Sequence, residues 1–194
     1  MKILAVLGSP REGGSSDRLA EAFLEEAGQL GAHIERVRLS RLKYKGCLGC
    51  GRCKADVTGC VQRDELTPVL EGVQECDALI LSSPMYFLDV SSQTKGFIDR
   101  CYGFCEPHML GQPSRSRLAK GKAVVLMISQ GADEGQFADI IGRYQYILDM
   151  IGFSSIHILR GCRLGFKKDA VARRDDLLQE ARETARKIMR GEIH

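Results

Sequence analysis

Short continuous apolar runs alternate along this chain with longer stretches whose apolar residues recur every three or four positions. Lys2–Leu7 is a run of the first kind, closed by Gly8-Ser9-Pro10, and predicts a strand buried on both faces of a parallel sheet. Between Ser16 and Leu30, the residues Leu19, Phe23, Ala27 and Leu30 share a helical face, with Ser15 or Ser16 as the expected cap and Gly31 as the stop. Ile34–Leu39 alternates in period two and predicts a second strand. Ser40–Arg63 has no clear period and is too long for a structureless loop, so an organising element of its own is expected there. Asp64–Cys76 is read as helix, Ala78–Leu81 as a third strand ending in Ser82-Ser83-Pro84, and Ser91–Tyr102 as helix. Residues 103–121 are irregular and basic. Ala123–Ile128 and Ser155–Leu159 predict two more strands, Gln136–Ile151 a helix closed by Gly152, and Asp169–Arg190 a long charged helix with Leu178, Ala181, Ala185 and Ile188 facing inward.

Five strands alternating with five helices mean βαβ units and a parallel sheet covered by helices on both faces. Right-handed crossovers favour a doubly wound α/β fold in the flavodoxin-like strand order 2-1-3-4-5, with residues 1–194 as one domain and the Cys-rich loop at 44–63 following strand two.

Composition narrows the class. The 194 residues are 44% hydrophobic and 27% charged, enough apolar content for a full core. No apolar run approaches the ~18 residues of a membrane span, and the apolar start is too short for a signal peptide, so a cytoplasmic protein without membrane attachment is expected. Lys and Arg number 28 against 25 Asp and Glu, interleaved as in Arg173-Arg174-Asp175-Asp176, which argues against a nucleic-acid partner. Glycine, 21 of 194 residues, is above the usual ~7% and points to loops that fit closely around a ligand. Four of the eight cysteines fall within fourteen residues, a crowding that suggests metal or redox chemistry.

In open α/β sheets ligands sit beyond the carboxyl ends of the strands, where strand order reverses, here between strands one and three. The loop after strand one, Gly8-Ser9-Pro10-Arg11-Glu12-Gly13-Gly14-Ser15-Ser16, runs into a helix N-terminus and offers glycines, hydroxyls and one guanidinium to an anion. It is neither G-x-G-x-x-G nor a Walker A loop, and suits a terminal phosphate monoester; the plainer reading is a Gly/Ser turn with a cap. Pro84-Met85-Tyr86-Phe87 after strand three would form a wall for a flat ring, and Ser129-Gln130-Gly131 after strand four would flank it.

These loops resemble those of the NADPH-dependent FMN reductase family of flavodoxin-like proteins, through GSPREGGSSDRLA (8–20), SSPMYFLDVSSQTKGFIDR (82–100) and SQGADEG (129–135). The resemblance implies an FMN phosphate held by Ser9, Arg11, Ser15 and Ser16. It implies an isoalloxazine lined by Pro84, Met85, Tyr86 and Phe87, with help from Ser129 and Gly131, and NAD(P)H as a donor. Leu88 stands where the family usually has Gly, and Asp89 adds a carboxylate expected near the nicotinamide approach.

Cys47, Cys50, Cys53 and Cys60 form C-x2-C-x2-C-x6-C. Three thiolates at two-residue gaps can wrap a corner of a 4Fe–4S cluster, with a fourth closing it, and Gly46, Gly49, Gly51 and Gly59 clear space around it. Zinc, which usually takes two separated Cys pairs, a metal-free reduced loop and a labile disulfide are the alternatives. The spacing is similar to that of the iron–sulfur flavoproteins within the same family. That similarity implies one FMN and one cluster per chain, a homodimer or homotetramer, a ferredoxin-like donor and acceptors such as quinone, oxygen or peroxide. The expected function is electron transfer between FMN and the cluster; an FMN or quinone reductase without a cluster and a zinc-holding binding module are the competing readings. Cys76 and Cys162 read as small buried hydrophobes, Cys101 and Cys105 as a pair too small for a site, and the four histidines carry no ligand spacing.

Overall fold

The computed structural model describes residues 1–55, 59–107, 115–165, 167 and 170–192. The elements run β1 (Lys2–Leu7), α1 (Ser15–Gln29), β2 (His33–Arg38), α2 (Thr67–Glu75), β3 (Ala78–Tyr86), β4 (Asp89–Val90), α3 (Ser92–Cys101), β5 (Ala123–Ser129), α4 (Asp139–Ile151), β6 (Ser155–Gly161) and α5 (Asp175–Arg190). The sheet order is β2-β1-β3-β5-β6, all parallel, with β4 folded back antiparallel on the end of β3. Without that two-residue strand the order is the expected 2-1-3-4-5. Among the described residues no helix is long and apolar enough to cross a membrane.

The continuous apolar strands follow from burial on both faces. Leu4 and Val6 of β1 join Leu79, Leu81, Val124 and Leu126 under α2, α3 and α4. Ile3, Ala5 and Leu7 join Ile80, Val125 and Met127 under α1 and α5, where Leu19, Phe23, Ala181 and Ala185 close the second layer. Neither face of a central strand meets water, so the period-two signal vanishes and the sequence reads apolar throughout.

Several boundaries differ from the sequence expectation, each for a local reason. The N-cap of α1 is Gly14, not Ser15 or Ser16, and no side chain caps it; Asp17 Oδ2 instead takes the Gly13 N–H at 2.9 Å. Helix α2 begins at Thr67 because Asp64 forms a turn, its Oδ1 accepting from Leu66 N at 3.1 Å. Helix α4 starts at Asp139, after Phe137 breaks the helix with φ +57. Helix α5 starts at Asp175, beyond a 3-10 turn at Ala170–Arg173; its expected start, Asp169, lies outside the described residues, as do His108, His194 and positions 108–114 of the irregular segment.

The largest difference is at β3. Ser83-Pro84-Met85-Tyr86, expected as loop, continues the strand and pairs Met85 with Val90 and Tyr86 with Asp89. Phe87 (φ +46) and Leu88 (φ +72) form the turn. Two successive left-handed residues are what a tight hairpin requires, and Asn-Gly is its usual signal. Phe-Leu gives no such signal.

Candidate functional site

The carboxyl ends of β1, β3 and β5 open into a cleft of ≈ 430 Å³. All ten residues expected to hold a phosphate and a flat ring lie on its wall: Ser9, Arg11, Ser15 and Ser16 at one end, Pro84, Met85, Tyr86 and Phe87 along one side, Ser129 and Gly131 on the other.

The anion end is tightly built. Gly8 leaves β1 with its N–H on Ser82 O at 2.8 Å, and its carbonyl accepts from Ser91 Oγ at 2.7 Å. A Cβ at Gly8 would fall 1.8 Å from Thr94 Oγ1, so only glycine fits. Ser9 Oγ accepts from Arg11 N at 3.1 Å and folds the loop back. With no side chain capping α1, its first N–H groups face the loop, which is the arrangement that binds anions. Arg38 of β2 underpins the cup, its Nη2 2.9 Å from Asp17 Oδ2 and its Nη1 donating to Ser9 O at 3.2 Å. Arg38 was not a candidate from sequence, because an exposed-edge strand of alternating charge gives no sign of which cation turns toward the sheet end.

The ring end is apolar and bounded by backbone. Pro84 and Met85 are half-buried, while Phe87 at the hairpin tip is fully exposed. Across the cleft, Gln130 is 4% exposed; its Nε2 donates to Asp133 O at 3.0 Å, but its Oε1 is buried without a partner. Arg160 of β6 donates to Glu134 O and Gln136 O, at 3.1 and 2.8 Å, and pins this loop from below. Phe137, Leu164, Gly165 and Lys167 also line the cleft. The last three follow β6, and their place beyond a strand's carboxyl end was the available signal. Asp89 does not face the cleft as expected: its Oδ1 accepts from Tyr144 Oη at 2.6 Å, and Arg143 lies 3.9 Å from its Oδ2. Burial first, and this carboxylate second, push the Tyr144 phenol far above its ordinary pKa.

The cysteine loop leaves β2 and returns to α2. Cys47 and Cys50 are exposed, Cys53 and Cys60 half-buried. Gly49, Gly51 and Gly59 take φ values of +64, +68 and +96, turns that a side chain would strain. Inside the loop the expected organising element is a short 3-10 turn at Arg52–Lys54, and side chains from outside brace it. Arg100, 1% exposed at the end of α3, donates through Nε to Cys60 Sγ at 3.0 Å and through Nη1 to Lys45 O and Asp64 Oδ2, at 3.0 and 2.7 Å. Arg117 Nη1 holds Cys53 O at 2.9 Å, and Lys54 Nζ sits 3.7 Å from the centre of the Tyr102 ring. Among the described residues no three of His, Cys, Asp and Glu converge as one metal ion requires. Thiolates are the donors that a 4Fe–4S cluster takes, and zinc takes the same donors. Cys76, Cys101, Cys105 and Cys162 are buried, and burial pushes all four thiols upward in pKa.

Residues 1–151 match the profile of the family described as NADPH-dependent FMN reductase. The chain belongs to that family. The family's flavin-dependent oxidoreductase chemistry fits the cleft: an uncapped helix end and Arg11 for a phosphate, apolar walls for a ring, and in Gln130 Oε1 a buried acceptor awaiting a donor. An iron–sulfur flavoprotein of Archaeoglobus fulgidus is 44% identical over 100 residues, covering 52% of this chain and 45% of its own length. Another, of Methanocaldococcus jannaschii, is 32% identical over 124 residues, covering 64% and 62%. The chain thus spans about half the length of the first of these relatives. Among solved structures, the NAD(P)H:quinone oxidoreductase of Methanothermobacter marburgensis superposes with a TM-score of 0.76 at 20% identity, covering 100% of this chain and 98% of the other. An FMN-dependent NADH-azoreductase of Bacillus anthracis, in complex with FMN, gives 0.73 at 14% identity over 97% and 100%. These likenesses establish the flavodoxin-like fold.

Proposed function

We propose that this chain is an FMN-dependent oxidoreductase that passes electrons between its flavin and a 4Fe–4S cluster held by Cys47, Cys50, Cys53 and Cys60. Bound FMN would supply exchange of two electrons or of one, and the cluster exchange of one. The chain's own residues bind and orient. Ser9, Arg11, Ser15 and Ser16 hold the phosphate, Pro84, Met85, Tyr86 and Phe87 cover one side of the ring, and Ser129, Gln130 and Gly131 border the other. The iron–sulfur flavoprotein relatives and the Cys spacing support the cluster, in a homodimer or homotetramer served by a ferredoxin-like donor and acceptors such as quinone, oxygen or peroxide.

The observation that carries this reading is helix α3. Its N-cap Ser91, bonded to Thr94 Oγ1, fastens the anion cup at Gly8 O, and its last turn fastens the cysteine loop through Arg100. Ten residues of helix span ~15 Å, so one rigid element sets the spacing of the two sites. The test is anaerobic purification followed by an absorption spectrum and counts of iron, acid-labile sulfide and FMN. Four iron and four sulfide per FMN are expected; FMN without iron, after an attempted reconstitution as well, would overturn the cluster.

A second reading, an NAD(P)H-driven quinone or FMN reductase with an empty cysteine loop, draws on one observation. Asp89 turns toward α4, so its carboxylate does not bar a dinucleotide from the cleft. Rapid reduction of the bound flavin by NADPH or NADH in stopped flow would favour it.

A further inference from the structure

We infer that Arg100 is the positioning residue for Cys60 and raises the reduction potential of the cluster; the inference rests on the cluster reading above. Arg100 is buried to 1% exposure, and its side chain is used on every edge. Nε donates to Cys60 Sγ at 3.0 Å, Nη1 to Lys45 O and to Asp64 Oδ2, and Nη2 to Gln62 O at 3.2 Å. The planar fork therefore grips the chain on both flanks of the cysteine loop, before Cys47 and after Cys60, and fixes the fourth sulfur relative to the first three.

Charge makes the same point. A guanidinium this deep persists only where negative charge meets it. Asp64 supplies one partner and occupies Nη1. The hydrogen on Nε goes to sulfur, and a neutral thiol is a poor acceptor, whereas a thiolate bound to iron is a strong one. Among the described residues Cys60 is the member of the four that receives a charged donor; Cys47 Sγ receives the backbone N–H of Gly49, at 3.4 Å. When a cluster gains an electron its sulfurs become more negative, so a fixed N–H and a positive charge at one sulfur favour the reduced state and move the potential upward.

The experiment uses the full-length chain with its cluster reconstituted, as wild type, Arg100→Gln and Arg100→Lys. Bound FMN and far-ultraviolet circular dichroism confirm that each variant is folded. Cluster and flavin midpoints are read from the same samples by EPR-monitored and optical titration. The cluster midpoint is expected to fall in Arg100→Gln, and less in Arg100→Lys, with the flavin midpoint unmoved. In wild type labelled with 15N-arginine, the reduced cluster is expected to show a 15N hyperfine coupling that Arg100→Lys loses, and this measurement decides the matter even if Arg100→Gln does not fold. A loaded cluster with no 15N coupling, or with an unmoved midpoint in folded Arg100→Gln, would overturn the role of Arg100 alone. Wild type that takes up no iron would overturn the cluster reading beneath it.

Discussion

Tyr144 Oη donates to Asp89 Oδ1 at 2.6 Å, and through this bond helix α4 holds the hairpin that forms the lip of the cleft. Tyr144 is fully buried, while the Asp89 side chain keeps 37% of its surface. The bond is thus a charged one with partial access to water. Tyr144→Phe should lower stability by about 1–2 kcal/mol, the range for losing one hydrogen bond to a charged group with water available to the acceptor. FMN should also dissociate faster, because Met85 and Tyr86 lose their backing. Urea unfolding and FMN fluorescence recovery measure the two effects.

Leu88 tests strain at the same hairpin. A left-handed conformation costs a side-chain-bearing residue roughly 1–2 kcal/mol, and Leu88 at φ +72 is 52% exposed, with little packing to offset it. Leu88→Gly gives back part of that gain as unfolded-chain entropy. The net expectation is a stabilisation of up to about 1 kcal/mol, seen as a higher urea midpoint. A lower midpoint would show that the turn is not strained.

The central strands were legible because burial on both faces leaves uninterrupted apolar runs, as in Ile3–Leu7 and Ala78–Leu81, and the edge strand β2 was legible from its period-two alternation. The ten cleft residues were legible because their loops all leave one sheet edge. The hairpin was not, since Phe87 and Leu88 carry no turn chemistry and the pairing of Met85 with Val90 is a tertiary fact. Arg38 and Arg100 were missed for a related reason. Each is a single cation among 28 basic residues, and only the fold shows which ones are turned inward.

The anion cup predicts a measurable preference. On the proposed reading Arg11 and the N-terminus of α1 address a phosphate, while the walls of the cleft, which they share, address any flavin ring. FMN should therefore bind much more tightly than riboflavin. Arg11→Gln should narrow that gap by roughly tenfold or more, in keeping with ~1.5–3 kcal/mol for a charged hydrogen bond. Riboflavin affinity itself should change little. Fluorescence titration of the flavin-free protein checks both.

Acid should undo the pair of Asp64 and Arg100 only below about pH 4. Burial opposes ionisation of Asp64, but the Arg100 guanidinium and the Lys45 and Leu66 N–H groups outweigh it and hold the carboxyl below its ordinary pKa. A carboxyl depressed on folding gives stability that is complete above its unfolded pKa of ~3.9 and is lost as pH falls through the lower folded value. Asp64→Asn should be less stable than wild type by about 3 kcal/mol at neutral pH, the cost of leaving a buried cation unpaired. The difference should shrink steadily below about pH 4. Urea midpoints of both proteins between pH 7 and pH 3 test this; a difference independent of pH would remove Asp64 from the account.

Gly103 separates the two sites by experiment. It lies just beyond α3, where the chain passes close to the return of the cysteine loop, and a Cβ there would sit 2.8 Å from Cys60 N and 3.1 Å from Gly59 C. Both are backbone atoms, so the contact cannot be relieved by a rotamer change, and Gly103→Ala must displace the segment that carries the fourth cysteine. Overpacking of this kind costs about 1–3 kcal/mol, within the reserve of a protein of this size. The cleft lies at the other end of α3 and shares no residue with the contact. Gly103→Ala should therefore bind FMN as wild type does while its iron and sulfide content falls after reconstitution. Equal iron in both proteins would mean that the loop can shift without losing its ligand geometry, and that Cys60 is placed less tightly than its contacts with Arg100 and Gly103 indicate.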